Sequence, residues 1–403
     1  MLSTVHDPVT LDAAHVLQVY RRQPVVFESG QGCALYSSTG ERYLDLISGV
    51  GVASLGHGHQ RLAAALADQS RTLLHTSNLF HHPLQGELAT KLAELSGLPR
   101  AFFCNSGAEA VEACLKFARR YWHAQGAPRS RVVALEHSFH GRTVGALSVT
   151  WDEHYRAPFA PLVPDVVFVS PDDLDALEGA ITNETAAVII EPIQGEGGVR
   201  PLSQATAAVL ARASARTGAL LIADEVQSGS GRTGVPFFSA TLGLKPDLMA
   251  LGKALGAGVP IGAALFSEKV ADAARPGDHG STYGGNLLAC RAALVFLDEL
   301  TGNGLLDHVA RVGSYLGSRL RDLGARHPSV KSVRGAGLIW GIELDKPAAG
   351  VVQTAFDKRL LINRTSDTVV RLLPPFVITE REIDEALPLL ESALTETAQE
   401  SRS

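Results

Sequence analysis

Between about residues 55 and 285, short apolar or β-branched runs alternate with longer stretches of helical character. The runs are AFFCN, RVVALE, ALSVT, VVFVS, AAVIIEP, ALLIADEV, DLMALGK and GAALFS. Runs of this length, apolar throughout, predict strands buried on both faces. Their alternation with helices predicts an α/β unit with a mostly parallel sheet covered on both sides. Such sheets bind ligands beyond the carboxyl ends of their strands. The residues with chemistry to offer fall there repeatedly: Asn105-Ser106-Gly107, Glu191, Asp224 and Lys253.

The flanking patterns differ. LDAAHVLQVY predicts a short helix, and PVVFESG, CALYSSTG and ERYLDLI predict a strand meander broken by Gly-containing turns. This opening segment is too small to fold alone. After about residue 290, RAALVFLDEL and LGSRLRDLG predict amphipathic helix, SVKSVRGAG and LIWGIELD predict strands, and a helix, the strand TVVRLLPP and a last helix from Glu380 follow. We read three parts: an N-terminal segment, 1–54, that packs with a smaller unit; a large unit, 55–289; and a C-terminal α+β unit, 290–403. Residues 248–266 are nearly uncharged and almost long enough to span a bilayer. Their four glycines, Pro260 and central Lys253 predict strand and loop instead, because a lysine at mid-membrane depth is costly.

Composition changes the picture only by exclusion. With 403 residues, 45% of them hydrophobic, the chain has ample core. Lys+Arg 36 against Asp+Glu 42 leaves a net charge of -6, which points away from nucleic-acid and membrane-surface partners. The four cysteines form no CxxC pair, so a reducing cytoplasm is expected. MLSTVHDPVT lacks the basic and apolar regions of a secretory signal. His137 and His140 form HxxH, and His57 and His59 form HxH, without the helical metal pattern or further ligands, so no metal is expected.

Several motifs carry more. GSGRTG, residues 229–234, is a literal GxGxxG, but VPFF follows it instead of a helix, so it reads as a glycine-rich loop and not a dinucleotide site. In CNSGAEAVEACLKFARR a strand ends at Cys104, a Ser-Gly turn follows and a helix opens at Glu109. Free N–H groups at such a helix start suit a phosphate. HSFHGRT sets Phe139 and Arg142 on a loop after a strand. Asp224 and Lys253 each end an apolar run. A carboxylate and a partly desolvated lysine facing one ligand from two sides match what pyridoxal phosphate requires: one keeps the pyridine nitrogen protonated, the other is an amine ready to attach and to move protons.

With these motifs in order, the chain resembles the class III (subgroup II) pyridoxal-phosphate-dependent aminotransferases, and within them it is most similar to the acetylornithine aminotransferases of arginine biosynthesis. The resemblance runs from about Gln23 to about Leu390 through LLHTSNLF, FFCNSGAEA, HSFHGRT, EPIQGEGG, ADEVQSGSGRTG, LGKALGAGVPIGA, HGSTYGGN and TVVRLLPP. It implies the type I fold with a seven-stranded sheet, working as a cytoplasmic homodimer with shared active sites. Position by position, it implies that Lys253 bonds the cofactor, Asp224 meets the ring nitrogen, Val226 and Phe139 sandwich the ring and Gln227 lies near its hydroxyl. Ser106, Gly107 and Ala108 would cup the phosphate, and Thr282 would reach the neighbouring subunit's phosphate. The chain departs from relatives at Val111, where EANE is common, and at Leu287, where GGNP is common.

The resemblance also implies the substrate clamps. Arg142 would hold the carboxylate distal to the reacting carbon, and Arg371 the 2-oxoglutarate carboxylate beside it, each through a bidentate fork. Glu196 would mask Arg371 when the terminal amine of the donor is bound. Ser281 is a further substrate contact. Val50 stands where ornithine aminotransferases carry a tyrosine for the free α-amine; a valine cannot bond an ammonium, which favours an N-acylated donor. The expected reaction is ping-pong transfer of the terminal amine of N2-acetyl-L-ornithine to 2-oxoglutarate, with N-succinyldiaminopimelate, ornithine and 4-aminobutyrate as rival donors.

Overall fold

A computed structural model describes residues 7–400. Its centre is a seven-stranded sheet. The strands, numbered through the whole chain, are β4 (Arg100–Cys104), β5 (Arg131–Leu135), β6 (Val166–Val169), β7 (Thr185–Ile190), β10 (Leu220–Asp224), β11 (Leu248–Leu251) and β12 (Gly262–Phe266), in the spatial order β4-β12-β11-β10-β7-β5-β6. Only β12 runs antiparallel to its neighbours, β11 and β4. The type I fold is therefore present, with a mostly parallel sheet.

Alternation along the strands explains why the sheet is wrapped on both sides. In β10, Leu220 and Ile222 join a core with Ala110, Val111, Cys114 and Ala118 of the helix Gly107–Ala124. Leu221 and Ala223 point the other way, to Ala207, Leu210 and Ala213 of the helix Gln204–Thr217. Each large aliphatic side chain buried here contributes roughly 1.5–3 kcal/mol. The strands stop where the apolar run stops, and this leaves polar residues at one edge.

Two smaller sheets flank the large one. The meander β1 (Phe27–Gln31), β2 (Ala34–Ser37) and β3 (Arg42–Asp45) is completed by β15 (Leu360–Leu361), which pairs parallel with β3. The other sheet contains β13 (Val330–Ala336), β14 (Ile339–Leu344), β16 (Asn363–Arg364) and β17 (Val369–Leu372). A two-stranded ribbon, β8 (Ile193–Gln194) and β9 (Arg200–Pro201), lies between the units.

Two expectations need correction. ALSVT is not a strand: Val144–Ser148 is a helix, because Glu112 Oε1 accepts from Gly145 N (2.8 Å) and Ala146 N (3.1 Å) and so holds a helix start there. The first helix spans only Pro8–His15 and does not run through LQVY; Val16 is already extended. Residues 248–266 form β11, a short 3₁₀ turn at Lys253–Gly256, and β12. No helix among the described residues is long and apolar enough to cross a membrane.

The long helix Leu305–Arg326 approaches the β13–β14 turn so closely that a Cβ on Gly313 would lie 2.5 Å from the Gly337 backbone. Backbone cannot move aside as a flexible side chain can. Gly313→Ala is therefore expected to cost about 1–3 kcal/mol of stability, read as a lower thermal midpoint; an unchanged midpoint would show that this contact is not tight.

Candidate active site

Lys253 follows β11 directly, with a positive φ of 43° that a lysine adopts only when its surroundings hold it there. Before it, Gly252 has no room for a side chain: a Cβ would lie 3.0 Å from Gly107 N and 3.5 Å from a Val226 methyl. The lysine turn, the Ser106–Gly107 turn and Val226 are therefore stacked in contact. Burial lowers the Lys253 pKa, with Arg371 adding to the effect and Glu196, Asp224 and Glu191 opposing it. No hydrogen bond or ion pair engages its Nζ among the described residues.

Asp224 ends β10 in the same layer and is 5% exposed. Its Oδ1 accepts from Val226 N (3.1 Å), and its Oδ2 is 2.7 Å from His140 Nδ1. His140 is buried, and its Nε2 has no partner among the described residues. The sequence reading grouped His140 only with an unused HxxH pattern; its place in HSFHGRT was the available signal.

Ser106 caps the helix Gly107–Ala124, its Oγ accepting from Glu109 N (3.2 Å), while Glu109 Oε2 accepts from Asn105 N (2.7 Å). The N–H groups of Gly107 and Ala108, in the first turn, have no intrahelical acceptor. They and the positive helix end form a cup for an anion. A Cβ on Gly107 would strike Val226 at 2.6 Å, so the cup exists only with glycine there. An anion cup, a free amine and a buried carboxylate thus share one strand edge. These residues fit pyridoxal phosphate: a cup for its phosphate, Asp224 for its ring nitrogen and Lys253 for its aldehyde carbon.

Beside this cluster lies a second one. Arg371, on β17, is 1% exposed. Its Nη1 donates to Glu196 Oε1 (2.6 Å) and to Gln227 Oε1 (3.0 Å), and its Nε to Asn363 Oδ1 (3.3 Å). Gln227 also donates to Glu196 (3.3 Å). Burial pushes the Glu196 carboxyl up, but Arg371 and Lys253 outweigh it and hold it below its ordinary range. Thr365 donates to the carbonyls of Gly195 and Glu196, fixing the loop that carries this carboxylate. Sequence reasoning missed Thr365, although INRTSD lies near TVVRLLPP.

Phe139 and Glu196 line a cavity of about 850 Å³ together with Tyr155, Trp151 and Thr365. Arg142 is exposed, its guanidinium 3.6 Å above the Tyr155 ring and 5.5 Å from the Phe139 ring. The arginine thus lies over two rings that line the cavity and, among the described residues, bonds to no carboxylate. Ser281 and Thr282 are elsewhere, in a separate cavity of about 870 Å³ with His75, Asn78 and Gln85. Ser281 Oγ accepts from Gly284 N (2.9 Å) and from Asn105 Nδ2 (3.3 Å), which ties it to the phosphate turn from behind. Val50 is 38% exposed in a left-handed turn with Ser48, Gly49 and Gly51. A β-branched residue there is strained.

Glu191, after β7, accepts from Phe139 N (2.7 Å) and Gly195 N (3.1 Å), and so ties the aromatic loop to the Glu196 loop. Burial, with Asp224 adding to it and His140 opposing, pushes its carboxyl from 4.5 up to about 7. Between those values the folded chain holds a proton that the unfolded chain has lost. The stability contributed is therefore full on the acid side and is lost as pH rises through about 7. Glu191→Gln removes this titration. The thermal midpoint of the variant relative to wild type should climb from about pH 5 to about pH 8; parallel profiles would refute the assignment.

The likeness to known proteins covers the whole arrangement. Residues 17–394 match the aminotransferase class-III family. The acetylornithine aminotransferase of Archaeoglobus fulgidus is 46% identical over 384 residues, 95% of this chain and 99% of that one. The structure of the ornithine aminotransferase from Toxoplasma gondii, in which the active site is partly occupied by pyridoxal phosphate, superposes with a TM-score of 0.93 at 33% identity over 98% of this chain and 95% of that one. The N-acetylornithine aminotransferase of Stenotrophomonas maltophilia superposes at 0.83, with 33% identity over 97% and 99% of the two chains. The chain belongs to the class-III aminotransferases.

Proposed function

We propose that this chain is a pyridoxal-phosphate-dependent aminotransferase that moves the terminal amine of N2-acetyl-L-ornithine to 2-oxoglutarate, giving N-acetylglutamate 5-semialdehyde and L-glutamate. The observation that carries the reading is the buried Arg371–Glu196 pair (2.6 Å) beside Lys253. A donor that reacts at a terminal amine brings no carboxylate to Arg371, so the arginine is neutralised by Glu196. A keto acid that reacts next to a carboxylate needs the same arginine bare. One site can serve both only if the carboxylate cover moves. The whole-length likeness to acetylornithine aminotransferases supports the choice of donor.

When bound, pyridoxal phosphate supplies an electron sink for the carbon bearing the reacting amine. The chain's part is to position and to move protons. Asp224, buried and tied to His140, is the carboxylate for the ring nitrogen. Lys253, its pKa lowered by burial, gives up its proton more readily than a free lysine and is the amine to attach and then to carry the proton. Ser106, Gly107 and Ala108 would hold the phosphate, and Val226 and Phe139 would flank the ring. Gln227 joins this group to Arg371 through its side-chain carbonyl.

Arg142, stacked on Tyr155 and free of any carboxylate among the described residues, would take the distal carboxylate of either substrate. Val50 would line the donor side, and Ser281, which shares a separate cavity with Thr282, would reach the substrate of a second copy. We further propose a homodimer in which Thr282 reaches the second copy's phosphate. The support is exposed apolar side chains: Leu79, which lines the same cavity, is 85% exposed, and Phe80 and Tyr283, next in sequence to lining residues, are 67% and 64% exposed. Four buried cysteines without a bridge fit a reducing cytoplasm.

Purified enzyme should show its highest kcat/KM with N2-acetyl-L-ornithine in a donor panel that includes N-succinyldiaminopimelate, ornithine and 4-aminobutyrate, with 2-oxoglutarate as acceptor; faster turnover of free ornithine would reject the donor assignment. Lys253→Ala should abolish transamination while the circular dichroism stays native-like, and a variant with substantial turnover would remove the lysine from its role. Glu196→Ala should slow the acetylornithine half-reaction more than the glutamate half-reaction, measured by single-turnover absorbance; equal losses would exclude the masking of Arg371.

A further inference from the structure

The GSGRTG loop, residues 229–234, binds no phosphate in the arrangement above, yet it holds an unusual residue. Arg232 is 1% exposed, and no carboxylate among the described residues bonds to it. Its Nη1 donates to two backbone carbonyls, Leu338 O (3.1 Å) and Pro374 O. Its guanidinium lies 4.4 Å from the centre of the Phe376 ring, and its Nη2 has no partner among the described residues. Burial lowers its pKa to about 9, still above neutrality, so the cation persists. A buried arginine without a carboxylate is costly, and its cost is offset only by what it joins.

What it joins is specific. Leu338 belongs to the β13–β14 turn. Pro374 lies three residues beyond Arg371, where the chain leaves β17. The loop itself follows Val226 and Gln227 by a few residues and is rooted in the cofactor-holding unit. Its glycines allow the approach: a Cβ on Gly234 would lie 2.8 Å from the Ala310 backbone, and one on Gly337 would lie 2.4 Å from the Thr233 carbonyl carbon. Leu338 N donates back to Arg232 O (2.9 Å), closing the contact from the other side. The stretch beyond Arg371 is otherwise tied to the N-terminal segment, through Ser48 Oγ to Leu373 O (2.6 Å) and Phe376 N to Ser54 O (2.8 Å).

We propose that Arg232 is a positioning residue for the keto-acid half-reaction: its Nη1, donating to both Leu338 O and Pro374 O, sets the distance of Arg371 from Lys253. The proposal rests on Arg371 being the clamp for the carboxylate nearest the cofactor. The glycines of GSGRTG are then the clearance that lets one unit grip the exit of the strand that carries the clamp. A lysine in place of Arg232 keeps the charge, but its ammonium ends one bond short of the Nη1 position and it has no planar group to lie on the Phe376 ring.

The test uses glutarate, an unreactive dicarboxylate, titrated into the cofactor-loaded enzyme and read by the shift in cofactor absorbance, together with steady-state constants for both substrates. Arg232→Lys is expected to raise the glutarate Kd and the 2-oxoglutarate KM roughly tenfold, with far smaller changes in the donor KM and in kcat, and with cofactor content unchanged. In an Arg371→Lys background the same substitution should add little, because both act through one contact. Should Arg232→Lys not fold, Arg232→Gln, which removes the buried charge, gives the same readout. Equal losses for donor and acceptor, or a full tenfold effect that persists in the Arg371→Lys background, would overturn the proposal. Glutarate binding unaffected by Arg371→Lys alone would instead reject Arg371 as the clamp, and this inference with it.

Discussion

Making a buried amine readier to lose its proton is the constraint around which the site is built. Lys253 is held in a tight turn at a strand end, where loss of water disfavours its ammonium. Nearby carboxylates work against that effect, so each must be engaged elsewhere. Asp224 is taken by His140 and the Val226 N–H. Glu196 is taken by Arg371 and Gln227. Glu191 is pushed toward its neutral form by its own burial. The lysine thus sits among three acids, none of which pairs with it, and this is the condition for an amine that must attach to a ligand and let go again.

Much of this was legible in the chain. Strands such as ALLIADEV are apolar throughout because helices cover both faces, and their ends are marked by the first charge, so Asp224 and Lys253 could be placed at one edge before any coordinates. The Ser-Gly turn after Cys104 was legible too, although the helix opens at Gly107, two residues earlier than the expected start at Glu109. What could not be read were contacts between distant segments. ALSVT has strand-like residues, but Glu112, more than thirty positions back, captures the N–H groups of Gly145 and Ala146 where it begins. His140 looked like half of a metal pattern because its partner Asp224 is 84 residues away. Arg232 carries no local sign of burial at all.

The same distinction separates chemistry from specificity. The residues that would meet the cofactor are delivered by neighbouring strands of one sheet, and a sheet repeats its spacing. Those that would choose the substrate come from separate pieces: Arg142 from a loop stacked on Tyr155, Arg371 from β17 of another sheet, Val50 from a strained turn near the N-terminus. Their mutual distances depend on how the pieces pack, and no periodicity in the sequence reports that.

The single reversed strand has a further consequence. After Lys253 the chain turns within nine residues and returns as β12, whose first residue, Gly262, pairs with Cys104; a Cβ on Gly262 would lie 2.1 Å from Ser106 O. The lysine and the phosphate turn, 147 positions apart between Ser106 and Lys253, are therefore joined by a short tether that runs under both. The gauge between amine and anion cup is set by the length of that tether. Loops elsewhere on this edge can drift in length as the chain evolves, but one residue gained or lost between Lys253 and Gly262 would change the gauge itself.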